Sequence, residues 1–414
     1  KKKSKVFNPF AGIASFGVYL HQWQDYLGQE INFKTAALGI LRLMAYKKLD
    51  SSKYFCDDSI SNWPAQSEKF DLIISNPPFG MRIGNRYPDL DLNIRTVEQF
   101  LLKKGVQSLT QNGKLIALLP QGFLFKGLQD QRLRQYLVEE DLIETIISLP
   151  SGLLLNTGIP LTILVLSHDK KLPGRVKFVN GTKFLISNGI RDKVLDDYTL
   201  LNLVHSNKID ENFVKIVFNE QIRNNDFNLS VARYFQEQIE GVRLGDVLEL
   251  IRGQRVNLTE IGKLIRIRNL KDDKVDHALD ISSIEENELR QTDTQISESC
   301  LLLAMRWRTI KPTLFEFNGE SVFISQDILS FRVNENIVDK AYLINELHAD
   351  YVLKQLDSYR NSVASIPFIR RGDLMDVVIK LPSLQEQIAK VQGIYEISGK
   401  IKSLQEEQIG RAHV

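Results

Sequence analysis

The chain has 414 residues, 43% hydrophobic and 25% charged, an ordinary globular composition that excludes wholesale disorder, collagen-like repeats and coiled coil as the main body. Its 53 basic and 51 acidic side chains leave a net charge of only +2, so any contact with nucleic-acid phosphate must come from local patches and not from bulk charge. The length predicts two or three domains. Cys56 and Cys300 are far apart and no Cys-x-x-Cys occurs, which argues against a disulfide framework or a cysteine zinc site and suits the cytoplasm. The six histidines show no metal-ligand spacing, and no metal is implied. No window approaches the ~18 apolar residues of a membrane span. The basic start, Lys1-Lys2-Lys3-Ser4-Lys5, is followed only by Val6 and Phe7 before Asn8-Pro9, too short an apolar run for a signal peptide. The lack of an initiator methionine implies natural sequence upstream.

In chain order, Val6-Phe7 reads as a strand leading into a Gly-containing turn at 8–17, with His21 on a first helix. Residues 34–49 have helical spacing, with Ala37, Ile40, Leu41, Met44 and Ala45 on one face. Phe70 to Ser75 reads as a buried strand. Residues 96–110 read as a helix with Val97, Phe100, Leu101 and Val106 as core. Then follow a strand at 114–119, a helix at 127–138, and strands at 143–149 and 161–167. This repetition predicts an α/β fold on a mixed, mainly parallel sheet covered on both faces. Residues 174–240 read as polar helical pieces and loops. From Val242 the pattern changes to short strands with turn signals such as Asn318-Gly319, which places a domain boundary near 235–245. Residues 384–409 form a last helix, in which Ile388, Val391, Ile394 or Tyr395, Ile401 and Leu404 recur every three or four residues. Gly393 and Gly399 weaken that helix in isolation, so it needs a packing partner.

The chemistry resides in Ser75-Asn76-Pro77-Pro78-Phe79-Gly80, directly after a buried strand. The carboxyl edge of such strands is where open α/β sheets keep their sites. An amine conjugated to a heteroaromatic ring is a poor nucleophile, because its lone pair is delocalised. Two acceptors on its two N–H bonds draw it toward a pyramidal geometry and localise that pair. The Asn76 side-chain oxygen and the Pro77 carbonyl are those acceptors. Proline fixes φ and has no N–H, so Pro77 and Pro78 keep the loop rigid with its oxygens inward. Phe79 offers a stacking face.

A second site element is the small-residue turn Asn8-Pro9-Phe10-Ala11-Gly12-Ile13-Ala14, which lets backbone approach a nucleotide-like ligand. Glu30 and Ile31 follow at the expected end of a second strand, where a carboxylate accepts both ribose hydroxyls. Read alone, Glu30 is a surface charge; read in order with 8–17 and 76–79, it is a ligand. Asp57-Asp58-Ser59 ends the next apolar segment, and one of these carboxylates is placed to accept from an adenine amino group.

The order Asn-Pro-Phe-Ala-Gly, Gln-Glu-Ile-Asn, Asp-Asp-Ser and Asn-Pro-Pro-Phe resembles S-adenosylmethionine-dependent DNA adenine-N6 methyltransferases, and more narrowly the modification subunit of type I restriction–modification systems. Further matches are residues 113–120, Gly122-Phe123-Leu124-Phe125, Ile147-Ser148-Leu149-Pro150, Gly158-Ile159-Pro160 and residues 228–234, so the resemblance covers about 6–235. Asn8 stands where the family has Asp, and Ala14 where its second turn glycine is expected. Family members also carry an N-terminal helical region and a segment on the donor's methionine part, upstream of what is present here. The resemblance implies a Rossmann-like methyltransferase sheet over 1–240, with Asn76, Pro77, Pro78 and Phe79 catalytic. It implies that Asn8, Pro9, Phe10, Ala11, Gly12, Ala14, Glu30, Ile31, Asp57 and Asp58 bind S-adenosylmethionine.

Residues 241–380 resemble one α+β target-recognition domain of a type I specificity subunit, through residues 243–247, Ile251-Arg252-Gly253, residues 265–270 and residues 374–379. Residues 381–414, opened by Leu381-Pro382-Ser383-Leu384-Gln385-Glu386-Gln387, then supply a helical dimerising spacer. Candidate DNA contacts are Arg252, Arg255, Arg266, Arg268, Arg306, Arg308, Lys311, Arg370 and Arg371, and about half of such cations are expected to touch no nucleic acid. Arg306-Trp307-Arg308 is the best cluster. The implied partners are double-stranded DNA, with the target base flipped out, a second copy of the chain through the last helix, and a restriction subunit in another chain. Rival readings are a methyltransferase acting on RNA or on a protein glutamine, and a DNA-binding component inactive without an upstream region or partner. The sequence has no Gly-x-x-x-x-Gly-Lys-Ser/Thr loop, which argues against ATP-driven translocation by this chain.

Overall fold

The computed structural model describes residues 3–84, 92–154, 158–188, 192–206, 210–235, 239–255, 261–359 and 368–412. The side chains of Arg255 and Leu404 lie outside the described residues. The chain forms two compact units, Lys1–Phe235 and Gln236–Val414. No helix among the described residues is long and apolar enough to cross a membrane.

The first unit is built in the order β1 (Ser4–Asn8), β2 (Gln24–Glu30), α1 (Phe33–Ala45), β3 (Ser52–Cys56), β4 (Phe70–Ser75), α2 (Val97–Gln107), β5 (Leu109–Pro120) and α3 (Gln129–Glu139). Then come β6 (Ile143–Ser148), β7 (Leu161–Ser167), β8 (Arg175–Asn180), the separate hairpin β9 (Leu185–Asn188) and β10 (Asp192–Leu195), α4 (Asp197–His205), β11 (Val214–Phe218), α5 (Asn219–Asn224) and α6 (Val231–Tyr234). Nine strands make one sheet in the order β11-β8-β6-β7-β5-β4-β1-β2-β3. The half running from β3 to β5 is parallel, whereas β7 lies antiparallel to both β5 and β6, and β11 antiparallel to β8. Consecutive residues bury on opposite faces, as Val6 and Phe7 do, which is the signature of a sheet covered on both sides. Phe7 stacks on Phe70 at 4.8 Å and meets the edge of Trp63 at 5.0 Å. The anticipated core of α2 is in place: Val97, Phe100, Leu101 and Val106 are all buried.

Three expectations need correction. His21 lies on no helix; the crossover from β1 to β2 is a 3-10 turn, Gly17–Tyr19, and exposed His21 stacks on Trp23. The face of α1 carrying Ala37, Leu41, Met44 and Ala45 is not core. The helix buries Ala36, Gly39 and Leu43 instead, and Leu38, Leu41 and Met44 are exposed. Space decides this at Gly39: a Cβ there would sit 3.1 Å from the Tyr54 ring and 3.2 Å from the Gly12 carbonyl, so no larger residue fits at that position. Finally, residues 174–240 hold two strands of the main sheet, β8 and β11, and not only helical pieces and loops.

Besides a two-stranded antiparallel pair, Val242–Arg243 with Val378–Ile379, the described residues of the second unit form two small sheets. One is antiparallel, Leu248–Leu250, Ile328–Val333, Cys300–Ala304 and Thr313–Phe315; the other is mixed and includes Thr294–Ile296, Val322–Ile324 and Ile261–Ile265. Gly319, at φ +97, makes the turn foreseen at Asn318-Gly319. Helices Lys340–Leu347 and Asp350–Tyr359 pack on the first sheet through Tyr342, Leu343, Val352 and Leu356. The last helix, Leu384–Ala412, opens with a Ser383/Glu386 cap. Its Val391 and Gln387 are buried within this unit, and Gln387 bonds the Asp339 amide and the Ile337 and Pro382 carbonyls. Val391 therefore faces its own unit and no second copy. Ile388, Tyr395, Ile397 and Ile401 remain exposed.

Candidate active site

β2, β1 and β4 are neighbours in the sheet, with Asn8 opposite Gly28 and Phe7 opposite Ile73. Their carboxyl ends therefore bring Asn8, Glu30 and Ser75 to one edge, and with them the turn at 8–14 and the loop at 76–79. Adjacent strands in a sheet lie about 4.8 Å apart, so the two loops share one crevice at the sheet edge.

The turn after β1 is fixed from several sides. The Ala11 amide donates to the Gln29 carbonyl at 2.8 Å, and the Tyr54 hydroxyl donates to the Gly12 carbonyl. The Ser59 hydroxyl donates to the Pro9 carbonyl and lies 3.0 Å from Gln29 Oε1. Both oxygens of Glu30 are engaged, Oε2 by the Gly12 amide at 3.0 Å and Oε1 by the Asn32 amide at 2.8 Å. The carboxylate is thereby pinned in orientation, and each oxygen retains lone-pair capacity for a hydroxyl. Gly12 sits at φ +56 with nothing within 4 Å of where a Cβ would stand, an open cradle beside Glu30. Ala14 also adopts φ +56 while fully buried, the backbone a glycine takes without penalty. Asn8 is buried, donates to the Tyr26 hydroxyl at 3.3 Å, and its Oδ1 has no partner among the described residues. Burial pushes the Tyr26 and Tyr54 hydroxyls well above the usual phenol range, so both stay protonated. Phe10 is half-buried, and Ile31 is exposed beside Glu30.

Asp57 and Asp58 lie at the end of β3. Asp58 caps the 58–62 turn, taking the Ile60 amide at 3.0 Å on Oδ1 and the Ser61 hydroxyl at 2.8 Å on Oδ2. Asp57 Oδ1 accepts from the Asp58 amide and from the Asn62 side chain. Of the two, Asp58 is the more committed to its own turn.

In the loop after β4, Asn76 and Pro78 are exposed, Pro77 is buried and Phe79 half-buried. Phe79 packs against the cluster of Ile147, Leu149, Leu161 and Val179, so its ring is held from the β6/β7 side. Gly80, at φ +69, ends the turn, and its amide donates to Glu98 Oε1. Glu98 lies in the first turn of α2, whose N-terminus is closed by a Thr96/Gln99 capping box. Gln99 in turn donates to Asp130 on α3, whose carboxyl is held up by burial against the pull of that bond.

Sequence reasoning singled out the turn, Glu30 and the loop but missed Gln29, Tyr54, Ser59 and Glu98, which hold them. Of these, Gln29 and Ser59 stood within noticed motifs, Gln-Glu-Ile-Asn and Asp-Asp-Ser; Tyr54 and Glu98 act through contacts distant in sequence, which spacing does not reveal.

In the second unit the candidate cations fall into two sets. Arg268 pairs with Glu285 at 2.9 Å, Arg266 bonds Asn287 at 2.9 Å, Arg370 lies 3.6 Å from Asp373 and Arg306 3.5 Å from Asp327. Lys311 is also engaged within the unit: its ammonium donates to the Ile267 and Leu270 carbonyls, both at 3.2 Å. Arg252, Arg308 and Arg371 are exposed, and Trp307 is 42% exposed between Arg306 and Arg308.

A family model for N-6 DNA methylases matches residues 4–241, and the chain belongs to that family. Its fold over this span is that of S-adenosylmethionine-dependent methyltransferases. The type I restriction enzyme MjaVIII methylase subunit of Methanocaldococcus jannaschii is 28% identical over 253 residues, 54% of this chain and 43% of that protein. The MpnII methylase subunit of Mycoplasma pneumoniae is 23% identical over 284 residues, 61% of this chain and 52% of that protein. The chain thus spans about half the length of these curated relatives. Among solved structures, the type I restriction–modification methyltransferase subunit of Streptococcus thermophilus superposes with a TM-score of 0.52 at 25% identity, over 56% of this chain and 54% of that one. The type IIG restriction endonuclease BpuSI shares the fold over 95% of this chain and 58% of its own, with a TM-score of 0.50 at 12% identity.

Proposed function

We propose that the first unit transfers a methyl group from S-adenosylmethionine to N6 of adenine in duplex DNA, as the modification activity of a restriction–modification system, at a sequence read by residues 242–380. One observation carries the reading: the loop at 76–79 and the Glu30–Gly12 cradle stand on the same edge of three adjacent strands. S-adenosylmethionine supplies an electrophilic methyl group. Glu30 accepts the ribose hydroxyls, residues 8–12 and Ala14 line the cradle, and Ile31 with Asp57 or Asp58 borders the adenine. The Asn76 side-chain oxygen and the Pro77 carbonyl accept hydrogen bonds from the two N6–H groups of the target, and one of those protons is lost to solvent once the methyl–sulfur bond has broken and the N6–methyl bond has formed; Pro78 keeps those acceptors fixed, and Phe79 stacks on the ring. An N6 amine inside a duplex is paired, so the target base leaves the stack to reach this loop. Exposed Arg252, Arg308 and Arg371, with Arg306 beside Trp307, are the DNA contacts best supported by their exposure; Arg255, Arg266, Arg268 and Arg370 complete the set.

The test is methyl incorporation from labelled S-adenosylmethionine into unmethylated bacterial genomic DNA, with nucleoside analysis. N6-methyladenine at a recurrent sequence is the expected product. Donor and DNA binding with no incorporation favours the specificity-component reading instead.

The exposed Ile388, Tyr395 and Ile401 of the last helix support pairing with the same helix of a second copy, which matches a symmetric, bipartite DNA site to a two-fold protein. Tyr395→Glu with Ile401→Glu leaves the buried Val391 and Gln387 in place. Light scattering should then report half the wild-type mass; an unchanged mass removes the helix from the interface.

A further inference from the structure

The two prolines that make the 76–80 loop rigid also strip it of two backbone donors, so it cannot be held by a strand ladder. At its far end the Gly80 amide donates to Glu98 Oε1, one residue before the Met81 carbonyl takes the Val97 amide at 3.0 Å. Glu98 is only 7% exposed, and its second oxygen, Oε2, is buried with no partner among the described residues. A buried carboxylate with an idle oxygen is a poor choice for stability, since an apolar side chain of the same size avoids the desolvation. Its retention therefore calls for a use. Gly80 stands at φ +69, a conformation that turns its amide back toward α2, where a carboxylate in the first helical turn meets it. The base of α2 is itself braced: Gln99 Oε1 accepts the Arg95 and Thr96 amides and Gln99 Nε2 bonds Asp130.

We propose that Glu98 is a positioning residue for methyl transfer: it clamps Gly80 so that the Asn76 oxygen and the Pro77 carbonyl stay where they meet the target amine. It touches neither donor nor target, and its role rests on the function proposed above. Glu98 acts as an acceptor of one N–H, so an amide at this position serves nearly as well as the carboxylate, whereas a side chain of similar volume without an acceptor does not.

The experiment compares the full-length wild-type chain with Glu98→Gln, Glu98→Ala and Glu98→Met, the last filling the same space should the alanine variant fail to fold. Hydrogen–deuterium exchange of the segment 76–81 is read first. Glu98→Met and Glu98→Ala should speed exchange at Gly80 at least tenfold, and Glu98→Gln should leave it within about threefold of wild type. In methyl transfer, Glu98→Met should lower kcat about a hundredfold, the cost of an ångström of misplacement, with donor affinity unchanged within twofold. Glu98→Gln should recover most of that loss. Unchanged exchange in Glu98→Met overturns the clamp, as does Glu98→Gln behaving like Glu98→Met. A wild-type chain that transfers no methyl group to DNA defeats the functional reading, and the exchange measurement still decides the clamp.

Discussion

Asn76→Ala should abolish methyl transfer, lowering kcat by at least ~10²–10³-fold, the usual loss when one preorganised polar partner of a transition state is removed. Asn76 is exposed, so its truncation opens no core cavity and should leave stability within about 0.5 kcal/mol. Donor affinity should hold as well, because the Glu30 carboxylate and the Gly12 amide belong to β2 and the turn after β1. DNA affinity should be nearly intact, since the arginines assigned to it lie in the other unit. The pattern to look for is therefore a loss in kcat with KM and both binding constants preserved, which marks an interaction made chiefly in the transition state. Turnover equal to wild type removes the amine-polarising role of the loop. A parallel loss of donor binding places Asn76 on the cofactor instead.

The parts of this fold that sequence could reveal are those where burial dictates composition. β4 is apolar on both faces because sheet neighbours and helices surround it, and its bounds coincide with the anticipated Phe70 to Ser75. α1 shows the opposite case. Its apolar stripe is conspicuous, yet the sheet lies so close that Ala36 and Gly39 face it beside Leu43, while Leu38, Leu41 and Met44 are exposed. β8 and β11 escaped notice because Lys177 and Lys215 break what would otherwise be continuous apolar runs. In the structure the Lys177 ammonium caps α4 by donating to the Leu203, Val204 and Ser206 carbonyls, a use that no local pattern announces. The same division runs through the site. Asn76 to Phe79 stands out in the sequence because two prolines, an amide and an aromatic ring are seldom found together at a strand end. Glu98 does not, because an acidic residue in a first helical turn is ordinary, and only the fold brings it to Gly80.

Loss of Arg134 should cost the first unit several kcal/mol. Its guanidinium is 2% exposed and acts as a three-way tie: Nε donates to the Phe227 carbonyl at 2.8 Å, and Nη1 to the Phe123 and Lys126 carbonyls at 2.7 and 2.8 Å. These bonds join the segment after β5 to the segment before α6, which also meet through the Leu229 amide and the Leu124 carbonyl at 2.8 Å. The bond to the Phe123 carbonyl is buried and the other two are partly buried, so removing the donor leaves the Phe123 carbonyl unpaired at about 1–3 kcal/mol and the other two at less. Some relaxation toward water is available, and Arg134→Met should therefore cost about 3–5 kcal/mol, a large part of the ~5–15 kcal/mol that holds a domain together. Lysine should rescue little, since a single ammonium cannot reproduce the planar fork that reaches carbonyls on both segments. Urea unfolding followed by tryptophan fluorescence reads the outcome, because Trp63 packs in this core beside Phe7 and Phe100. A midpoint lowered at constant slope is the expected result. A loss below about 1 kcal/mol would mean that water replaces the guanidinium, and that packing and the Leu229–Leu124 hydrogen bond suffice to hold the two segments.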